Sequence, residues 1–397
     1  MPFAVYVLGL AVFAQGTSEF MLSGLLSGIA EDLRVSLGAA GLLTTAFAIG
    51  MVIGAPITAL AGRTWPRRRA LLLFLGVFVA AHLVGAVTSS YAVLLVTRVA
   101  GALANAGFWA VALVTALAMV APHQRARATA VVVGGVTVAC VVGVPAGAAL
   151  GEVWGWRAAF WAVALVSVPA ALALWAAVPG GRPDGVAPGS ARGELRALAR
   201  PRLLLTLLVM ALVQGATFCT FSYLEPLATR VTGFGSGWMP LVLALFGVGS
   251  FAGVTLAGRL ADARPDAVVG CGMVALAAGW AALALTAAHP VAVLALVLLQ
   301  GALAFGTGTT LITRVFHQAP DAPTMAGSFA TAAFNVGAAA GPWLGGLALG
   351  AGLGFRSPVW VSALLMCGAL AGAGVLAGSS GRVRGTLTAR RSPVPGR

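Results

Sequence analysis

Gln15, Glu19, Ser23 and Ser27 recur every fourth residue inside the otherwise apolar stretch of residues 3–29. On a helix that spacing stacks them into one polar ridge along an apolar rod. A carboxylate such as Glu19 is costly in that setting unless it faces a polar interior, and an acid inside a membrane span commonly belongs to a substrate or proton pathway. The plainer alternative is a packing contact with a polar group on another helix. A second charge, Arg98, stands in another apolar run, roughly 10 Å (about seven residues) from one end of its helix. Glu19 lies roughly 15 Å, about ten residues, from the corresponding end of its own, so the two can meet at similar depth. A lone Arg there costs on the order of 3 kcal/mol on insertion scales, which favours a partner.

The elements that must hold these charges follow from composition. Of 397 residues, 60% are hydrophobic and only 9% charged, with a mean hydropathy of +0.98. No soluble domain of this size could bury so much apolar surface. Runs long enough to span a bilayer fall near 3–29, 37–61, 70–89, 91–119, 128–150, 158–178, 203–224, 238–257, 267–288, 291–313, 325–349 and 358–378, which predicts about twelve helices. The amino terminus lacks the basic flank and cleavage site of a signal peptide, so the first run is expected to remain as a span. With that terminus in the cytoplasm, the inner loops and tail collect Arg63, Arg67 to Arg69, Arg125, Arg127, Arg182, Arg192, Arg196, Arg200, Arg202, Arg259, Arg264, Arg314, Arg382, Arg384, Arg390, Arg391 and Arg397. The outer loops hold only Arg34, Arg157, Arg230 and Arg356, so the positive-inside rule chooses this topology, with both termini cytoplasmic. The net charge of +14 is then an attraction to anionic lipid, and nucleic acid is not needed to explain it.

A polar, Pro- and Gly-containing segment at 179–202 divides the chain. What flanks it repeats: Gln15-Gly16 matches Gln214-Gly215, Phe47 and Gly50 match Phe246 and Gly249, Gly62-Arg63 matches Gly258-Arg259, residues 101–104 match 301–304, and Gly155-Trp156-Arg157 matches Gly354-Phe355-Arg356. The expected architecture is an all-α membrane protein of two pseudo-symmetric six-helix bundles, 1–178 and 203–378, joined by a cytoplasmic linker at 179–202 and followed by a basic tail at 379–397. Tandem halves of this kind mark a transporter whose binding site lies between them near the bilayer midplane. Leu298 stands where the second half would repeat Arg98, so the charge function belongs to one half.

Other classes are disfavoured: a passive channel would have no need of a buried acid in one half, and the marks of an enzyme are missing. All 24 basic residues are Arg; without Lys there is no Walker A loop, and the energy must come from elsewhere than ATP bound in that way. No His-Glu-x-x-His or Gly-x-Ser-x-Gly occurs, and the acids do not pair within spans, which argues against an intramembrane enzyme. Cys140, Cys219, Cys271 and Cys367 fall in apolar segments, where thiols pack as small hydrophobes; neither disulfide nor metal is expected. Heavy Ala and Gly use beside absent Lys suggests a GC-rich bacterial coding sequence, hence a bacterial cell membrane.

The patches Gly16-Thr17-Ser18-Glu19-Phe20, Arg98, Gly143-Val144-Pro145-Ala146-Gly147, Phe334-Asn335, Gly341-Pro342 and Gly345-Gly346 resemble the major facilitator superfamily, in its twelve-span drug/proton antiporter branch. Through residues 13–24 and 98–108 the chain is most similar there to bacterial chloramphenicol exporters. The resemblance implies proton-driven export of a small drug such as a phenicol, with no cofactor, by a chain expected to be a monomer; relatives with similar signatures export sugars or other metabolites. It implies a part in proton coupling for Arg98 with Glu19, against the reading of a structural ion pair. It makes Gly143, Pro145 and Gly147 the antiporter helix motif, while physics alone reads close helix packing and a bend. Gly62, Arg63, Gly258, Arg259 and Asp262 resemble the cytoplasmic gating loops, although Pro66 stands where the first loop would match Asp262. For the substrate wall, Gln15, Ser23, Asn105, Trp109, Gln214, Phe218, Phe221, Glu225 and Asn335 are the candidates, since aromatic faces with few polar groups suit an amphipathic ligand. Phe218 and Phe221 read equally as lipid-facing or packing aromatics, Glu225 beside Pro226, near the outer end, reads rather as a solvated loop acid, and His82 as a helix contact or a titrating group.

Overall fold

The computed structural model describes residues 1–61, 65–178, 200–261, 265–318 and 323–389. The helices are α1 (Phe3–Phe20), α2 (Leu26–Asp32), α3 (Leu37–Ala61), α4 (Arg67–Val87), α5 (Tyr91–Ala118), α6 (Arg125–Val138), α7 (Val144–Trp154), α8 (Trp156–Ala177), α9 (Pro201–Ser222), α10 (Leu224–Arg230), α11 (Met239–Ala261), α12 (Pro265–Thr286), α13 (Pro290–Gln318), α14 (Pro323–Gly350) and α15 (Ser357–Ala389). Among the described residues, twelve stretches are long and apolar enough to cross a membrane. Helices satisfy their own backbone groups, which is what lipid demands of a spanning segment. Proline opens α9, α12, α13 and α14, at the position where its missing N–H would have no helical acceptor.

Two joints that match in sequence match in conformation. Gly155 between α7 and α8 and Gly354 before α15 both adopt φ +79°, a left-handed region that glycine enters without steric cost. Packing repeats as well. Gly50 and Gly54 let α3 press against Val99, Ala102, Leu103 and Ala106 of α5, and Gly249 and Gly253 let α11 press against Leu298 and Ala302 of α13. Small residues permit such close backbone approach where lipid supplies no hydrophobic drive between helices.

Within the first half α1 packs on α6 and α8, and α4 on α5 and α8; within the second, α9 packs on α14 and α15, and α12 on α13 and α15. The halves meet along two seams, α3 with α14 and α7 with α11. The sequence repeat makes these equivalents of one another. Named contacts across the centre run from mid-helix to the end that carries Asp32. They include Phe20 with Phe218, Thr45 Oγ1 donating to the Ala339 carbonyl (2.9 Å), Ser27 with Glu225, and Glu31 with Arg230 (3.6 Å). Gly38 lies against Gly346 there.

Several expectations are corrected by the fold. The first span is not one helix: α1 stops at Phe20, a 3₁₀ turn occupies Met21–Gly24, and α2 resumes at Leu26. The ridge of four is therefore broken after Glu19. The fifth span is interrupted by a π turn at Ala139–Gly143, directly before Pro145. There the missing proline N–H disturbs the α ladder least, because the turn has already shifted the bonding register. The last helix runs on to Ala389, through much of the stretch read as a tail. All four cysteines are free; Cys140 and Cys219 are buried, but Cys271 and Cys367 are exposed. Linker residues 179–199, Gly62, Arg63, Asp262, Arg264 and the tail from 390 lie outside the described residues.

Candidate functional site

Arg98 is the chemical centre of the first half. It lies seven residues into α5, which Ser90 caps by accepting the Val93 N–H, and it is 2% exposed. Its guanidinium donates through Nη1 to Ser18 Oγ (2.9 Å) and through Nη2 to the Ser18 carbonyl (3.0 Å). It also covers the Phe47 ring at 4.3 Å, a cation–π contact of the kind Arg makes best when desolvated. Ser18 Oγ is in turn 2.6 Å from His82 Nε2, and His82 Nδ1 is 2.7 Å from the Phe78 carbonyl. His82 is enclosed by the Phe78 and Phe160 rings. The chain of partners thus joins α1, α4 and α5.

Glu19 is the next residue of α1, half-buried, and close enough for its charge to interact with that of Arg98. Among the described residues its carboxylate accepts no hydrogen bond and makes no ion pair within 4 Å. Arg98 is thus seated beside the acid rather than on it. Sequence reasoning set Arg98 about seven residues into its helix, where it lies, but missed Ser18, although the polar run Thr17-Ser18-Glu19 was the available signal. Neighbouring positions on a helix point about 100° apart, and only packing decides which of them meets a partner.

The other candidates separate. Gln15 and Asn105 are completely enclosed, and none of their amide atoms meets a protein partner. Ser23 donates to the Phe20 carbonyl inside the 3₁₀ turn. Trp109 is half-buried against the first half's core. Gln214 is half-buried on α9. Asn335 donates to the Thr331 carbonyl of its own helix. Gly258 and Arg259 lie in the last turn of α11, with Arg259 exposed.

Phe218 and Phe221 are buried at the junction of the halves. Phe20 lies 5.5 Å from Phe218 and 6.5 Å from Phe221 between ring centroids, Phe221 lies tilted against Phe246 at 4.6 Å, and Phe246 reaches Phe305 at 6.1 Å. A continuous aromatic seam therefore crosses from the first half into the second. Phe20, Phe246 and Phe305 were not among the sequence candidates. Phe246 is the repeat partner of Phe47, so equivalent phenylalanines serve different ends: Phe47 faces a guanidinium, while Phe246 faces another ring. Leu298, in the place of Arg98, is 38% exposed.

Glu225 corrects the expectation of a solvated loop acid. It is 8% exposed, and its Oε2 accepts from both Ser27 Oγ (2.5 Å) and the Ser27 N–H (3.2 Å) across the halves. Burial pushes its carboxyl above the ordinary range, against the opposing pull of the Ser27 hydrogen bonds and of Arg230. It borders a cavity of about 430 Å³ that also touches Glu31, Glu152, Trp156 and Arg230. At the same end Arg157 pairs with Asp32, and that hydrogen bond holds the Asp32 carboxyl below its usual range.

Close packing governs the interrupted fifth span. A Cβ on Gly143 would strike the Thr17 side chain, and one on Gly247 the Cys140 carbonyl; one on Gly147 would rest 3.4 Å from Met21 Cβ. The π turn is thus wedged between α1 and α11.

The profile of the Major Facilitator Superfamily matches residues 8–322. A chloramphenicol resistance protein of Streptomyces lividans is 55% identical over 372 residues, covering 93% of this chain and 95% of that one. The inner membrane transport protein YdhP of Escherichia coli K12 is 33% identical, over 89% of this chain and 90% of its own. Among solved structures, a bacterial homologue of the human lysosomal transporter Spinster, inward-facing and unoccupied, superposes with a TM-score of 0.74 at 20% identity, covering 99% of this chain and 98% of that one.

Proposed function

Because this chain belongs to the Major Facilitator Superfamily, we propose that it exports a small uncharged amphipathic drug, chloramphenicol or a related phenicol, in exchange for protons. The observation that carries the substrate is the 55% identity to a chloramphenicol resistance protein along nearly the whole of both chains. A phenicol offers an aromatic ring and a hydroxylated amide tail. The Phe20, Phe218, Phe221 and Phe246 seam supplies faces for the ring, and half-buried Gln214 a polar partner.

The arginine asymmetry puts the Asp32 end outside the cell. In that frame the contacts of Ser27 with Glu225 and of Glu31 with Arg230 close the outer mouth, and the conformation is the one turned toward the cytoplasm. Glu19, half-buried beside Arg98, is the proton carrier. Drug and proton compete for the cavity: the acid is protonated from outside, the halves rock about the α3–α14 and α7–α11 seams, and drug entering from the cytoplasm displaces the proton inward. No cofactor is needed, because the proton gradient supplies the work. The protein acts as a transporter in the cell membrane, and a single chain contains both halves of the site.

Cells expressing the chain should survive raised chloramphenicol and accumulate less of it, and a protonophore should restore accumulation. Equal accumulation with and without the chain would reject the substrate, and export that ignores the protonophore would reject the coupling.

A further inference from the structure

The Phe78 carbonyl can only accept, so His82 Nδ1, 2.7 Å away, carries a proton. In the neutral ring Nε2 is then a lone pair. The group 2.6 Å from it is the Ser18 hydroxyl, which must donate its one hydrogen there. That fixes the rotor and turns the Ser18 oxygen lone pairs toward Arg98, whose Nη1 donates at 2.9 Å. A charged imidazolium would instead aim two cations at one hydroxyl.

The second acceptor for Arg98 has a separate origin. Because α1 ends at Phe20, the Ser18 carbonyl falls in the last turn, where carbonyls lose their helical partners and carry the negative end of the helix dipole. Nη2 takes that carbonyl at 3.0 Å. With the Phe47 face, Nη1, Nη2 and the flat of the guanidinium all have partners without Glu19, while the buried Nε has no hydrogen-bond partner among the described residues.

We propose that Ser18 and His82 form a seat that holds Arg98 beside Glu19 while the acid carries its proton, and that His82 is a positioning residue for proton coupling. The proposal rests on the reading of Glu19 and Arg98 as the coupling pair. When Glu19 gives up its proton, the guanidinium passes from Ser18 to the neighbouring carboxylate; when Glu19 is protonated, the seat takes the guanidinium back. The proton goes from the carboxyl to water in the open cavity, and no other bond changes. Without an acceptor at the Nε2 position the Ser18 hydroxyl turns freely, the seat weakens, Arg98 stays on the carboxylate and the acid fails to reload.

The test compares His82→Gln with His82→Asn in purified protein reconstituted into liposomes, reading chloramphenicol-driven proton release. Gln places its carbonyl oxygen where Nε2 stands, whereas Asn reaches only as far as Nδ1. His82→Gln should retain release, and His82→Asn should lose at least about tenfold, the worth of one hydrogen bond to a charged group. Ser18→Ala, which removes the hydroxyl but not the carbonyl, should fall equally and covers the case in which an α4 variant fails to fold. Equal behaviour of the Gln and Asn variants in either direction, or undiminished release by Ser18→Ala, overturns the seat. Glu19→Gln run in parallel separates the two ideas. Undiminished release by that variant removes the coupling pair and the seat with it, whereas loss there beside normal release in His82→Asn removes the seat alone.

Discussion

The Glu225 carboxylate accepts both the hydroxyl and the backbone N–H of Ser27, two residues 198 positions apart that sit on opposite halves of the molecule. This bond ties one mouth of the central cleft at a group that titrates. Burial raises the Glu225 carboxyl above its ordinary range in this closed form, while an opened mouth would return it to the ordinary value. The closed form thus holds the proton more tightly. Its advantage is complete below the ordinary carboxylate range and is lost as pH rises through the raised value. Spin labels at the exposed positions Ser36 and Gly235 should move apart as pH increases, and Glu225→Gln, which cannot ionise, should flatten that response. Glu31, Glu152 and Arg230 border the same cavity, and an unchanged response in the Gln variant would take the effect away from Glu225.

The fifth span predicts a graded response to added volume. Gly147→Ala should be tolerated, since its Cβ meets Met21 Cβ at 3.4 Å and Ala159 Cβ at 3.9 Å, both ordinary contacts, whereas Gly143→Ala drives a methyl into Thr17. Overpacking of that kind costs about 1–3 kcal/mol. Gly147→Leu should still insert into the membrane yet block export, because the longer side chain holds α7 away from its neighbours. Thermal unfolding in detergent beside drug efflux checks the order. A Gly143→Ala protein as stable and active as the parent would show that the wedge has slack.

Much of this architecture can be read from the sequence because lipid enforces it. Twelve apolar runs, the Gly50 and Gly249 repeat and the buried Arg98 all express constraints that act locally or recur at a fixed period. The break at Met21–Gly24 carries no such mark: only Ser23, which fits the helical ridge, and Gly24 interrupt the run, and the turn is fixed by tertiary contacts such as Gly24 against Ala148 and Leu243. Glu225 beside Pro226 looks like a loop acid until Ser27 is brought to it by the fold. The choice of Ser18 over Glu19 as partner of Arg98 is a matter of one helical step, below what periodicity can resolve.

Orientation is open to a direct check. The arginine bias requires that reporters at residue 190 and after Arg397 both face the cytoplasm, while one placed at Ser36 faces outside. Reporter activity or reagent accessibility in intact cells distinguishes the sides. One of the first two found outside alone would overturn the twelve-span reading, and both found outside would invert the assignment of the closed mouth, so that the conformation is turned outward.

Charge alone should not suffice at position 98. Arg98→Lys keeps the cation but loses the planar fork that reaches Ser18 Oγ and the Ser18 carbonyl together, and it loses the stacking on Phe47. Coupled export should therefore fail in Arg98→Lys almost as fully as in Arg98→Ala. The Ala variant should also lose about 1–3 kcal/mol of stability, because the Ser18 carbonyl is left buried without a donor. Glu19→Gln should leave the protein folded, since its carboxylate accepts no hydrogen bond among the described residues, yet it should abolish uphill, uncoupler-sensitive export by removing the site of protonation. Drug-driven proton release in proteoliposomes measures all three. Full coupling in Glu19→Gln would make the acid structural and pass the proton to Glu225, while full coupling in Arg98→Lys would mean that the field of the cation, and not its fork, sets the protonation of Glu19.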